Sequence, residues 1–288
     1  MAQSASLETV ELVPSAWPPV CEEFRPVAKR DGAGHRWRWP LGLYTTPVLL
    51  IVLWQLLSMA GAMPTQFAPA PHEVLNAGWD LYRSGELLPS LGISLQRAGL
   101  GLALGLAVGI SAGLLGGFLR SGEYIFNGVF QIFNTLPMLA LLPLMLVWFG
   151  IGELTKVLLI AFAAMVPMYV NLFAAIRGID QRLVEMARTN DVSMFRMLRQ
   201  VILPGSLPGL LVGLRFAMAY SVLGLVAAEL VNADAGIGYL VTRAQTFLQI
   251  DQLFFGMMIY AMLGLLADQF VRLLERILLM WRPSYEAR

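Results

Sequence analysis

The chain has 288 residues, is 57% hydrophobic and only 14% charged, and carries a net charge of +1. Soluble domains are about one-quarter charged, so this balance, with a mean hydropathy of +0.66, points to a membrane protein and excludes a polyanion-binding field for nucleic acid. A single cysteine, Cys21, excludes an internal disulfide framework, and two distant histidines, His35 and His72, form no metal-ligating cluster.

Residues 1–42 are polar and hold Pro14, Pro18, Pro19 and Pro26. No apolar core follows an early basic region, so they do not resemble a secretory signal; they are expected to form a largely disordered cytoplasmic tail. Trp37 and Trp39, beside Arg36 and Arg38, suit an interfacial anchor. A helix that crosses a bilayer needs ~20 mostly apolar residues. Six stretches qualify, about 43–62, 98–119, 125–149, 154–176, 207–231 and 253–274, which makes 43–282 one transmembrane domain and 283–288 a C-terminal tail. Between the first two spans, His72 to Tyr82 is predicted as a short interfacial helix with Val74, Leu75, Trp79 and Tyr82 available to the membrane surface. In the second span, Gly101, Gly105, Gly109, Gly113 and Gly117 fall on one stripe and predict close helix packing. Pro137 and Pro143 in the third span and Pro167 in the fourth loosen their helices; such kinks are tolerated where neighbours or a cavity satisfy the freed groups, which makes Pro137 and Pro143 candidates for a translocation path. Glu229, near the end of the fifth span, either lines that path or sits at headgroup level. Arg215 is expected to snorkel to the nearer surface, and Asp268 and Arg272, one turn apart, to neutralise each other.

Lys and Arg are distributed unequally. With the N-terminus inside, Arg83, Arg97, Lys156 and Arg243 are the cations left outside, and most of the rest face the cytoplasm. An even span number then puts both termini, and the polar segment 177–206, on the cytoplasmic side. Asp180 to Thr189 is predicted as one short helix, Asn190-Asp191 as a turn, and a second helix, capped by Asp191 or Ser193, as ending at Leu203-Pro204. Val192, Phe195, Leu198 and Ile202 make an apolar stripe on it, suited either to a groove on a soluble partner or to lipid headgroups. No G-x-x-x-x-G-K-[ST] occurs, so ATP is not bound by that mechanism.

The same segment resembles the EAA loop of binding-protein-dependent ABC importer permeases, which reads Glu-Ala-Ala, three residues, Gly, then Leu-Pro after a further helix. Glu185, Ala187, Ile202, Leu203 and Pro204 match; Met186 replaces the middle alanine, and Asp191 stands where the loop has glycine. The stretches 135–156, 226–241 and 256–281 are similar to other signatures of the family, most of all in its nitrate/sulfonate/taurine branch, and the likeness spans about 45–282. The resemblance implies an all-α, polytopic fold of the type I ABC importer permeases with about six transmembrane helices. It implies a non-catalytic inner-membrane subunit with no cofactor of its own, paired with a second, identical permease chain. ATPase subunits would bind ATP and Mg below it, and a periplasmic solute-binding protein would deliver a small anionic solute above. In that scheme Glu185 and Ala187 position the loop, Asp191 forms its turn, Val192, Phe195 and Arg196 touch the ATPase, and Leu203-Pro204 closes the motif. No Lys or Arg falls mid-span, so the path is expected to offer backbone dipoles and polar side chains, with selectivity left to the binding protein. The alternative is a secondary transporter or a channel without an ATPase partner, for which neither a chain of coupling carboxylates nor an internal repeat is evident.

Overall fold

The computed structural model describes residues 45–61, 68–231 and 234–280. The expected tails, 1–42 and 283–288, and the Trp37/Trp39 anchor lie outside the described residues. The chain divides into two units, Met1–Val48 and Leu49–Arg288; of the first, only the opening turn of α1 (Thr45–Met59) is described. After α1 come α2 (Pro71–Arg83), α3 (Leu87–Phe118), α4 (Arg120–Gly122), a π-helical turn Glu123–Asn127, α5 (Gly128–Thr135), α6 (Met138–Phe149) and α7 (Glu153–Arg177). Then follow α8 (Gln181–Thr189), α9 (Met194–Met197), a second π-helical turn Leu198–Ile202, α10 (Leu203–Leu230), α11 (Ile237–Thr246) and α12 (Ile250–Leu278).

Among the described residues, Leu87–Phe118, Glu153–Arg177, Met194–Leu230 and Ile250–Leu278 are each long and apolar enough to cross a bilayer. The expected third span is not one helix: α5 and α6 meet at a bend of 106°. The cause is Pro137, whose ring disfavours helical geometry in the residue before it; Leu136 is extended, with φ −74° and ψ 126°, and ends α5. Of the first expected span, 43–62, the described part includes the 15-residue apolar helix α1. Among the described residues, the expected six spans correspond to four long helices, the bent pair and the short apolar helix α1. The second span also starts earlier than hydropathy suggests, at Leu87 rather than near 98.

Helix α7 is the hub. The glycine stripe of α3 lies along it in parallel orientation, Gly101 against Ile160, Gly105 against Ala161, Gly109 against Met165 and Gly117 against Ile176. A Cβ on Gly105 would stand 2.4 Å from the Ala161 carbonyl oxygen, so the two backbones approach as closely as only glycine permits. On another side of α7, α10 runs antiparallel: Gly209 meets Ala175, and Gly224 meets Ile160 and Ala163. Phe130 of α5 stacks on Tyr169 of α7 with ring centroids 3.9 Å apart.

The short helix α2 forms as expected, with Leu75, Trp79 and Tyr82 exposed, but Val74 is buried against the bundle rather than offered to the membrane. Arg215 pairs with Glu275 at 2.6 Å and Asp268 at 3.4 Å on α12. Asp268 also holds Arg272 at 2.7 Å, the expected (i, i+4) pair.

Candidate functional site: a docking surface and a buried ionic network

Two regions at opposite ends of α7 hold the side chains with chemical potential. At its C-terminal end, Asp180 accepts a hydrogen bond from the Arg182 amide through Oδ1 (2.9 Å) and starts α8. Ala187 faces inward and is buried in one cluster with Leu172, Ile176, Met197 and Ile202. The helix ends where Asn190 donates from Nδ2 to the Met186 carbonyl and Asp191 turns with φ +51°, in the left-handed region. Asp is among the non-glycine residues that tolerate this geometry, so the position keeps the turn that glycine would make. Ser193 stands at the N-cap of α9 but makes no side-chain capping bond, contrary to the capping role expected of Asp191 or Ser193.

Leu203-Pro204 does not stop the second helix. The run from Met194 to Leu230 is continuous over 37 residues. The π-helical turn at Leu198–Ile202 explains this: the Leu203 amide donates to the Leu198 carbonyl five residues back, and Pro204 comes directly after that widened turn, where the shift in the hydrogen-bond ladder accommodates its missing N–H. The wider turn also breaks the expected apolar stripe. Ile202 is buried, and Val192 and Leu198 pack half-buried on the bundle core. Phe195, 74% exposed, points away from it, beside exposed Met194 and Arg196. On α8, Leu183 and Met186 are exposed as well. Glu185 is exposed and lines, with Arg177, Met194 and Met197, a cleft of about 410 Å³. Of the contact residues expected from sequence, Phe195 and Arg196 are presented outward, whereas Val192 serves the fold.

At the opposite end lies a network that sequence reading missed. Glu229 has 0% exposure. Its Oε1 accepts from Ser94 Oγ and Arg97 Nη1, each at 2.7 Å, and its Oε2 accepts from the Gly238 amide at 3.0 Å and Tyr260 Oη at 2.8 Å. Ser94 Oγ in turn accepts from the Ile237 amide at 2.9 Å. Glu229 and Ser94 therefore cap the first turn of α11, and side chains from α3, α10 and α12 converge on one carboxylate. Gly236, at φ +104°, leaves room for this: a Cβ there would stand 2.5 Å from Glu229 Oε1. Arg97 continues the network to Glu153 of α7, Nε to Oε2 and Nη2 to Oε1, each 2.6 Å, and Lys156 Nζ reaches Glu153 Oε1 at 2.9 Å. Glu229 is thus sealed inside the bundle of this chain, with four donors on its two oxygens. The signal that could have found the network is that Arg97 and Glu229 both fall in apolar runs, where each requires a partner. Nearby, Arg243 donates to Glu86 at 2.5 Å, and that bond raises the guanidinium above its ordinary pKa.

Between the two ends, the α5–α6 bend opens on a cavity of about 130 Å³ lined by Asn134, Leu136, Met138, Phe162, Pro167 and Tyr220, among others. Pro137 adjoins this cavity by creating the bend; Pro143 is not part of its lining.

Residues 105–279 match the family of binding-protein-dependent transport system inner membrane components. An aliphatic sulfonates transport permease protein (SsuC) of Escherichia coli is 44% identical over 253 residues, which is 88% of this chain and 96% of that protein. The taurine transport system permease protein of the same organism is 34% identical, over 87% of this chain and 95% of its own length. Among solved structures, an inward-facing methionine ABC transporter, MetNI, superposes with a TM-score of 0.52 over 66% of this chain and 96% of the matched one, at 18% identity, a likeness of fold.

Proposed function

The chain belongs to the family of binding-protein-dependent transport system inner membrane components and is a permease subunit; from that premise we propose that it carries aliphatic sulfonates or a closely related small anion such as taurine. What supports the cargo is the identity to sulfonate and taurine permeases along nearly the whole chain. The α8–α9 surface would face the cytoplasm, with both chain termini on that side, and receive ATPase subunits that bind ATP and Mg. A periplasmic binding protein would deliver solute at the α2–α11 end, and a second copy of this chain would complete the path.

The geometry supports a specific division of labour. Phe195, Arg196, Met186 and Met194 offer an exposed apolar surface with a basic edge, of the kind that fits a groove on a soluble partner. Ala187, Met197 and Ile202 bind that surface to Leu172 and Ile176 of α7. The continuous helix Met194–Leu230, about 55 Å long at 1.5 Å per residue, would carry a push from the ATPases to the ionic network at Glu229. Asp191 would set the angle of the surface, Glu185 its cleft wall, and Leu203-Pro204 the start of the transmitting helix. Pro137 would contribute through the cavity at the bend.

The test is ATP-dependent uptake of ethanesulfonate by proteoliposomes that hold the full chain, its ATPase and its binding protein. Phe195→Asp is expected to lower co-purification of the ATPase and stimulated ATP hydrolysis at least about tenfold, the effect of an interface anchor that contributes more than 1.4 kcal/mol. Wild-type levels of both in that variant would remove the coupling role from this surface, and absent uptake by the wild type would remove the cargo.

A further inference from the structure

The outer-network cations sit in an unusual relation to their carboxylates. Arg97 is 4% exposed and Lys156 8% exposed, yet Glu153, which holds both, is 60% exposed. Arg97 spends Nη1 on Glu229 and the Ala235 carbonyl and turns its remaining edge, Nε and Nη2, to Glu153 in a two-pronged fork. That fork is the geometry by which arginine recognises any planar or tetrahedral oxyanion. Lys156 adds a third donor to the same oxygen set.

Glu153 is poorly tied to the fold otherwise. It is the first residue of α7 and follows Gly150, at φ +74°, and Gly152. Both glycines border open space, and Ile151 between them is exposed. The Glu153 side chain is 60% exposed, whereas Glu229 is fully buried.

We propose that Arg97 and Lys156 form an oxyanion-binding site for the head group of the transported anion, and that the Glu153 carboxylate occupies it as a tethered stand-in that the solute displaces. The inference rests on the anionic-cargo reading above. It supplies the basic contact that no mid-span lysine or arginine provides. A sulfonate brings three oxygens where the carboxylate brings two, so it can address the Arg97 fork and Lys156 Nζ at once. The exchange conserves charge: one anion leaves the two cations and another takes its place, while Glu229 keeps Arg97 in position. A tethered competitor also keeps the site weak, since any solute must outcompete a high local concentration of carboxylate. Weak binding is what a passage site requires, because tight binding would hold the solute.

The experiment measures ethanesulfonate binding to the detergent-purified complex of the full chain with its ATPase, from the shift of the unfolding midpoint at constant ionic strength, with dimethyl sulfone as the uncharged probe. Glu153→Gln removes the competitor and is expected to tighten ethanesulfonate binding about tenfold or more, with no response to dimethyl sulfone. Lys156→Met added to Glu153→Gln is expected to abolish the gain. Equal affinity in wild type and Glu153→Gln, or a gain that survives Lys156→Met, overturns the site. If Glu153→Gln does not yield folded protein, Glu153→Asp, whose shorter arm reaches the cradle poorly, is expected to tighten binding several-fold, and an unchanged affinity there is equally fatal. Uptake of ethanesulfonate with no such change sinks the site and leaves the cargo standing. Tightened binding in Glu153→Gln without uptake by the wild type sinks the cargo and leaves an anion site.

Discussion

Two residues carry unusual local demands, and both yield measurable outcomes. Glu229 is a fully buried carboxylate with four donors. Removing it leaves Ser94, Tyr260 and the Gly238 amide without this acceptor while Arg97 keeps Glu153, and unsatisfied buried donors cost about 1–3 kcal/mol. Glu229→Ala is therefore expected to lower stability by that amount, read from unfolding of the full chain in mixed micelles; a loss below 1 kcal/mol would mean the network contributes little. Gly236→Ala should weaken the same assembly, since its Cβ meets Glu229 Oε1 and its backbone is left-handed. Asp191 makes the second demand. At φ +51°, a β-branched side chain is strained by about 1–2 kcal/mol. Asp191→Val is expected to lose that stability, and Asp191→Gly to lose none and to keep ATPase binding. A glycine variant that loses ATPase binding would show that the Asp191 side chain does more than make the turn.

Elements respond to close approach and to helical register. The stripe of α3 works because each glycine faces α7 rather than lipid, with the tightest approach at Gly105 and Ala161. Gly105→Val should push the two helices apart and cost about 1–3 kcal/mol, as overpacking does, whereas Gly99→Ala, which faces open space, should be neutral; unfolding midpoints of the two variants side by side test this. The π-helical turn Leu198–Ile202 shows why periodicity misled on α9. A 3.6-residue repeat puts Val192, Phe195, Leu198 and Ile202 on one face, but the chain folds back before α9 and widens after it, so Phe195 alone is thrown outward. At α5–α6 the error ran the other way: a continuous apolar stretch reads as one span, because hydropathy does not register a bend.

At the scale of the molecule, the functional assignment needs the two ends of the bundle on opposite sides of the membrane. Single cysteines introduced at exposed Arg196 and exposed Trp79, in a chain lacking Cys21, are expected to react with a membrane-impermeant maleimide from opposite sides of sealed vesicles. Labelling of both from one side would overturn the topology. The membrane class, the glycine stripe, the short helix α2 and the turn at Asp191 were legible in the residues alone. Each depends on hydropathy, spacing or backbone geometry over a few consecutive positions, and these act within a segment. The ionic network was not legible, and it decides the roles of Arg97, Glu153 and Glu229. Arg97 is separated by 56 residues from Glu153 and by 132 from Glu229, and nothing local distinguishes a carboxylate that lines a path from one that is sealed in a bundle. Only the docking of α3, α7, α10, α11 and α12 brings these groups within hydrogen-bonding distance. In a low-dielectric interior, that proximity determines which charges pair: Arg97 with the buried Glu229, and Arg97 and Lys156 with Glu153 at the exposed edge.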